Sequence, residues 1–198
     1  NNTRVICDFT IPSSLSSTWI FIFGGRVGYE NKDFSFAVNS SQWHSGYGNE
    51  SKRTTSPSRS ANTRYTVDKN KATYLINSTS ATNTSATFTT GNNMLLFGMK
   101  ENGGITYSSV KIHSCKIYDN GVLVRDFIPV KDENNIACMF DRLENRFYYN
   151  AGTGNFIAGT ERCVPWAIGY QQVDYIEWTG TQYISTLYKA NINTKLDF

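Results

Sequence analysis

The chain is a succession of short apolar or alternating stretches that are separated by Gly, Asn, Asp and Ser. Examples are "RVICDFTI", "TWIFIFGG", "DFSFAVN", "NMLLFGM" and "GVLVRDFIPV". Short runs with this punctuation are typical of β-strands, and signals of helical periodicity are nearly absent. The pattern therefore predicts an all-β protein built from antiparallel strands.

The stretch "YTVDKNKATYLINSTSATNTSATFTT", from Tyr65 to Thr90, is rich in Thr, Ser, Asn and Tyr and contains few bulky apolar residues. Its residues alternate between two sets, as in two strands joined by a turn. In an antiparallel sheet with one solvated face, Thr and Ser point outward. We therefore predict that this polar stretch is sheet rather than linker, with Leu75 and Phe88 facing inward.

Two hairpins are predicted from their turn residues. In "KIYDNGVLVRDF", Asn120 and Gly121 supply the two positive-φ positions of a type I′ turn. In "MFDRLENRFYYN", Glu144 and Asn145 separate a strand from the next one. Both hairpins would join strands of one antiparallel sheet.

Size and composition restrict the range of functions. A chain of 198 residues corresponds to one domain of sandwich size. The net charge of +3 is spread along the chain without a basic run, which argues against nucleic-acid binding. The longest apolar runs, "WIFIF" and "MLLFGM", are far shorter than the roughly 20 residues that span a bilayer, so no membrane insertion is expected.

The cysteines and the acidic residues suggest neither a metal site nor an enzyme. Cys7, Cys115, Cys138 and Cys163 lie far apart with no C-x-x-C pair, so zinc is not expected and free thiols are favoured over disulfides. The acidic clusters "KDENN" and "DRLEN" fall in predicted turns, where carboxylates are usually solvated. We expect no catalytic residues, no metal and no cofactor.

The two histidines, His44 and His113, are the only imidazole bases, and neither lies in a nucleophile motif. His113 is predicted to pack at a sheet face. His44 lies in "SSQWHSGYGNESKR", where Trp43, His44, Tyr47 and Arg53 suggest an exposed recognition patch. The alternative for Trp43 is a core aromatic on the strand that follows "FSFAVN".

The segment "GYQQVDYIEWTGTQYISTLYKANINTKLDF" at the C terminus closely resembles the opening of a concanavalin A-like, laminin-G-like jelly-roll module. Such modules occur in large surface proteins of gut bacteria. The matching residues lie between Tyr175 and Ile184, and the motifs "FIFGGR", "FSFAVNS", "KIHSCKIYDNGVLVRDFIPV" and "FYYNAGTGNFIAG" also resemble the family pattern. The resemblance covers nearly the whole chain and implies an antiparallel two-sheet jelly-roll sandwich.

The order of these motifs departs from the family, because the opening strand of the module lies at the C terminus. Either the module is circularly permuted, or the chain is cut from a tandem array. We predict one jelly-roll module over residues 1–198, with a body at 1–165 and the opening strands at 166–198. Jelly-roll termini lie close together, so Tyr175 to Ile184 should pair back onto the same domain and give a monomer; a strand swap with a neighbouring copy is the alternative.

The resemblance implies a non-catalytic binding module that is extracellular, on the bacterial surface or secreted. Similar modules include immunoglobulin-binding proteins, so we expect recognition of a host protein, with immunoglobulin as one candidate. The alternatives are a lectin-like module for a host glycan and an accessory or spacer domain of a surface hydrolase. Trp178 replaces a residue that is usually small in the family signature and joins the candidate ligand-binding set, which comprises Trp43, His44, Tyr47, Arg53 and Trp178.

Overall fold

The computed structural model describes residues 2–84, 86–161, 170–178, 180–187 and 189. All regular structure in these residues is β-strand, as predicted, and none of them belongs to a helix that could span a bilayer. In chain order the strands are β1 (Arg4–Thr10), β2 (Ile20–Gly25), β3 (Asp33–Val38), β4 (Trp43–Gly48), β5 (Glu50–Thr54), β6 (Arg64–Asn70), β7 (Thr73–Ile76), β8 (Thr79–Thr82), β9 (Leu95–Leu96), β10 (Gly98–Glu101), β11 (Gly104–Tyr107), β12 (Lys111–Asp119), β13 (Val122–Asp132), β14 (Ala137–Asp141), β15 (Arg146–Tyr148), β16 (Ile157–Ala158), β17 (Tyr170–Gln172), β18 (Ile176–Glu177) and β19 (Ile184–Ser185).

The strands form two sheets. The first sheet has the order β15-β14-β13-β12-β1-β6-β7-β8, and β17 and β18 add to it by pairing with β13 and β12. The second sheet has the order β11-β10-β2-β3-β4-β5, and β9 and β19 attach beside β2. All pairings are antiparallel except a single contact between β10 and β2, where Lys100 lies beside Gly25.

The hydrophobic core lies between the two sheets. Side chains alternate between the faces of a strand, so β1 contributes Val5, Cys7 and Phe9 from one sheet, and β3 contributes Phe34 and Phe36 from the other. All five side chains are fully buried. Burial of each such side chain contributes about 1.5–3 kcal/mol, which makes this interface the main source of stability.

One charged side chain is enclosed in this core. Lys69 of β6 is fully buried, and its Nζ donates a hydrogen bond of 2.5 Å to Ser45 Oγ of β4. The Ser45 hydroxyl donates in turn to Asn83 Oδ1 at 2.9 Å. Lys69 Nζ also lies 5.0 Å from the ring centroid of Phe34 and 5.6 Å from that of Tyr47. Burial lowers the pKa of Lys69 to about 7, against an opposing effect of Asp33.

Both predicted hairpins are confirmed. β12 and β13 pair up to Asp119 and Val122, and Asn120 and Gly121 between them have φ of 51° and 78°, as a type I′ turn requires. β14 and β15 pair in the same way around a turn that contains Asn145 at φ 53°.

The polar stretch forms the meander β6-β7-β8 as far as Thr82, which confirms sheet there, but it has three strands instead of the predicted two and no strand in its last described residues up to Thr90. The inward position of Leu75 is wrong: it is 39% exposed, while Tyr74 and Ile76 face the core. The alternation was correct, but this strand has apolar residues on both faces, and the face with two of them, Tyr74 and Ile76, is the buried one. Phe88 packs against the core from a segment that is not a strand.

The C-terminal segment pairs with its own chain, as predicted. Ile176 of β18 lies opposite Ile112 of β12, and Ile184 of β19 lies opposite Leu96 of β9. This segment therefore contributes strands to both sheets.

Cys7, Cys115 and Cys138 are buried free thiols. Cys163 lies outside the described residues.

Candidate functional site

Trp43 and Tyr47 lie on the inner face of β4 and belong to the core. The Trp43 ring stacks on Phe36 at 5.9 Å, and its Nε1 donates to the carbonyl oxygen of Pro57 at 2.8 Å. The Tyr47 hydroxyl donates to the carbonyl oxygen of Ala86 at 3.2 Å. Both side chains are almost completely buried. The expectation that they are exposed is therefore wrong, and Trp43 is the core aromatic of the alternative interpretation.

His44 faces away from the core, because neighbours along a strand point to opposite faces. We call this side of the second sheet the outer face. The His44 ring packs against Trp19 at 5.1 Å and edge-on against Phe21 at 6.2 Å. Although it lies on the outer face, His44 is only 2% exposed. Neither of its ring nitrogens has a hydrogen-bond partner among the described residues.

Arg53 lies beside His44 on the neighbouring strand β5 and is exposed. Its guanidinium lies 5.5 Å from the Trp19 ring centroid, and its Nη2 donates to the Tyr29 hydroxyl at 3.0 Å. Tyr29 is itself 55% exposed. Arg53 forms no ion pair within the part of the chain that the structure describes. The sheet thus presents an exposed arginine that contacts the Trp19 ring and the Tyr29 hydroxyl.

Trp178 does not join this group. It follows β18 in the first sheet and packs, half-buried, against the main core, whereas His44 and Arg53 belong to the second sheet. Of the five candidate residues, the structure brings His44 and Arg53 together on one surface. Their roles in ligand binding stay predictions.

A cleft of about 300 Å³ opens on the outer face, and we call it the His44 cleft. Aromatic rings, hydroxyl groups and one guanidinium line it. The lining residues are Thr18, Trp19, Phe21, Arg26, Tyr29, His44 and Thr106.

One wall of the His44 cleft is an ion-pair cluster around Arg26. Arg26 Nε donates to Glu101 Oε2 at 2.6 Å, and its Nη1 lies 3.7 Å from Asp33 Oδ2. Asp33 is fully buried, and burial raises its pKa to about 6 despite the nearby Ser35 hydroxyl, Arg26 and Lys69. The charge of Arg26 is therefore matched by two acids that are not among the lining residues of the cleft.

Gly46 makes room for this cluster. A Cβ built at Gly46 would lie 2.2 to 2.4 Å from the carboxyl atoms of Asp33, so a larger residue cannot be accommodated without movement of that side chain. A glycine at position 46 is therefore a packing requirement of the sheet.

The His44 ring is neutral at physiological pH. Burial lowers its pKa to about 3, and the positive charges of Lys69, Arg53 and Arg26 act in the same direction. A neutral imidazole has one N–H donor and one nitrogen acceptor. His44 therefore carries one donor and one acceptor, both buried and without a partner among the described residues, next to three positive charges.

The candidate set from the sequence did not include Trp19, Phe21, Arg26 or Tyr29. The alternation in "TWIFIF" placed Trp19 and Phe21 on one face, which was an available signal. Tyr29 lies in a loop, and no local pattern connects it with Arg53. Only the order of strands in the second sheet brings these residues together.

The described residues include no cluster of three or more His, Cys, Asp or Glu side chains that could hold a metal ion. Comparisons with protein-family models, with curated proteins and with solved structures found no match to this chain. The geometry of the His44 cleft is therefore the basis for a functional proposal. Aromatic rings, arginine side chains and an imidazole are groups through which proteins commonly bind ligands and other proteins.

Proposed function

We propose that this chain is a non-catalytic binding module that recognises a host protein through the outer face of the second sheet. The observation that carries this function is the exposed Arg53, held between Trp19 and Tyr29 without an acidic partner in the described structure. Trp, Tyr and Arg are the residues most enriched in the hot spots of protein interfaces. Because Arg53 is already held by two neighbours, a partner that binds it costs less side-chain entropy.

The two antiparallel sheets support a more specific proposal, a concanavalin A-like jelly-roll module that is circularly permuted or taken from a tandem array. With the resemblance of the C-terminal segment, this fold favours an extracellular module on a bacterial surface. Immunoglobulin is then one candidate partner. Repetition of the module would raise the avidity of weak single contacts.

A host glycan is the second candidate ligand. The rings of Trp19 and Tyr29 border a cleft with a buried imidazole, and aromatic faces stack on sugars. Recognition of a glycan would place the sugar in the cleft, whereas recognition of a protein would extend over the surface around Arg53.

The test is a pull-down from mucosal secretions with the immobilised domain, using untreated and enzymatically deglycosylated material. The variant Arg53→Gln removes the proposed anchor. Arg146→Gln is a matched control, because Arg146 is also an exposed strand arginine, lies 5.2 Å from the ring of Tyr148, and belongs to the first sheet. Circular dichroism and thermal unfolding would check that both variants fold.

We expect capture of a protein equally from both preparations, and loss of capture with Arg53→Gln but not with Arg146→Gln. Capture that disappears on deglycosylation would replace the protein ligand with a glycan. Equal capture by the two variants would show that the outer face is not the binding surface. If the unmodified domain captures no protein from either preparation, a spacer role would be favoured.

A further inference from the structure

The base of the His44 cleft has hydrogen-bonding capacity that the described protein does not use. His44 is almost completely buried, lines the cleft, and has no described partner for either ring nitrogen. Buried polar groups without partners are destabilising, so most of them in folded proteins are satisfied. A bound group that reaches His44 would remove this cost.

The charges around the cleft favour an anion. Arg26 is the one charged residue among those that line it, and the acids that match Arg26 do not line the cleft. Arg53 lies at the rim with its guanidinium beside the lining residues Trp19 and Tyr29. Because Glu101 and Asp33 already match Arg26, the guanidinium of Arg53 is the charge that would repel a cation and attract an anion.

The size of the cleft restricts the anion. About 300 Å³ is at the lower limit of ligand pockets and holds the end of a side chain with a few waters rather than a large ligand. A carboxylate accepts hydrogen bonds from several donors at once and forms strong charge-assisted bonds with arginine. The donors near the cleft include the hydroxyl groups of Thr18 and Thr106, one N–H of His44, and the guanidinium of Arg53.

We infer that the His44 cleft binds a carboxylate, and that an Asp or Glu side chain of the partner protein supplies it. This inference rests on the proposed function, because it names the group of the partner that enters the same surface. Arg53 attracts the carboxylate at the rim, and His44 donates a hydrogen bond to it at the base. The rings of Trp19 and Tyr29 exclude water and strengthen both interactions.

The two histidines of this chain make a direct test practical. In a protein labelled with ¹⁵N-histidine, the ring signals of His44 report on the cleft. His113 is an internal reference, because Thr10 Oγ1 and the carbonyl oxygen of Asp174 each lie 2.8 Å from one of its ring nitrogens. The probe is N-acetylglutamate methylamide, and the neutral N-acetylglutamine methylamide of nearly the same shape is its control.

We expect the glutamate probe to shift the His44 signals saturably, in the millimolar range of a single side chain, and to leave His113 unchanged. The glutamine probe should have no such effect. Arg53→Gln should weaken the response about tenfold, whereas Arg146→Gln should not change it. Equal responses to the two probes, or no response to either, would overturn the inference.

A third titration with glucuronate distinguishes the source of the carboxylate. Tighter binding of glucuronate than of the glutamate probe would overturn the assignment to a protein side chain. Failure of this inference is separable from failure of the proposed function. If the pull-down depends on Arg53 while the probes leave the His44 signals unchanged, the proposed binding surface is supported and the carboxylate inference is wrong. If the probe shifts the His44 signals but no protein is captured, the cleft binds a carboxylate and the proposed recognition of a host protein is wrong.

Discussion

Replacement of Lys69 by Met should make the protein more stable at neutral pH. The Lys69 amino group lies between the two sheets, donates one hydrogen bond to Ser45 and faces two aromatic rings, and Asp33 offsets only part of the cost of its burial. Met has a similar length and no charge, and it packs well against aromatic rings. Ser45 keeps its hydrogen bond to Asn83 in the variant.

The pKa of Lys69 fixes the size and the pH window of the effect. It falls from 10.5 to about 7 on folding, so between these values the unfolded chain holds a proton that the folded chain has lost. Stability therefore rises with pH across this window, and the full cost of burial is present below pH 7. At 1.36 kcal/mol for each pKa unit, the contribution of Lys69 changes by about 3 kcal/mol between about pH 7 and pH 9.5.

Urea unfolding at several values of pH measures this contribution. The measurements should stop below pH 10, because the tyrosines of the unfolded chain begin to ionise there. Burial raises the pKa of Tyr47 in the folded protein to about 12, so Tyr47 would add a pH dependence of its own. We expect the difference in free energy of unfolding between Lys69→Met and the unmodified protein to be largest at pH 7 and to shrink toward pH 9.5. Lys52→Met, at an exposed position of β5, is the control and should show no such trend. A constant difference for Lys69→Met would show that Lys69 keeps its charge in the core and refute the reasoning.

Two further predictions concern the second sheet. Trp43→Ala should lower the free energy of unfolding by about 3–5 kcal/mol, because it removes a fully buried ring, and chemical denaturation measures this loss; a folded, equally stable variant would contradict the core assignment. Gly46→Ala should cost about 1–3 kcal/mol in the same assay, since its methyl group would overlap the buried carboxyl group of Asp33. Gly28→Ala is the matched control, because a Cβ there meets nothing within 4 Å, and equal effects of the two substitutions would rule out the overlap.

The strands and hairpins were predictable because their signals are local. Apolar alternation and the positive-φ pair Asn120 and Gly121 act within a few residues, and the structure follows them. Which face of a strand is buried depends on residues that are distant in sequence. In β7 the sequence offers Leu75 on one face and Tyr74 and Ile76 on the other, and packing against the second sheet decides which set is buried.

The candidate site shows the same limit. The aromatic and basic residues of "WHSGYGNESKR" indicated a surface, but alternation divides them, with Trp43 inside and His44 outside. Trp19 and Tyr29 reach Arg53 from segments far away in sequence, and the pairing of β2, β3, β4 and β5 places them there. A single sequence contains no direct record of this strand order, so His44 and Arg53 were predicted from local sequence while the residues that complete the site around them were not.

The position of β1 in the first sheet has a consequence for biosynthesis. β1 lies between β6 and β12, and its residue Arg4 pairs with Tyr118. During synthesis, one edge of β1 therefore stays unpaired until the ribosome has produced β12. The strands β17 to β19, which complete the sheets, are produced later still. Such distant pairing slows folding and leaves apolar strands open to association with other nascent chains. This chain is thus expected to depend on chaperones during synthesis more than a β-meander of the same length would.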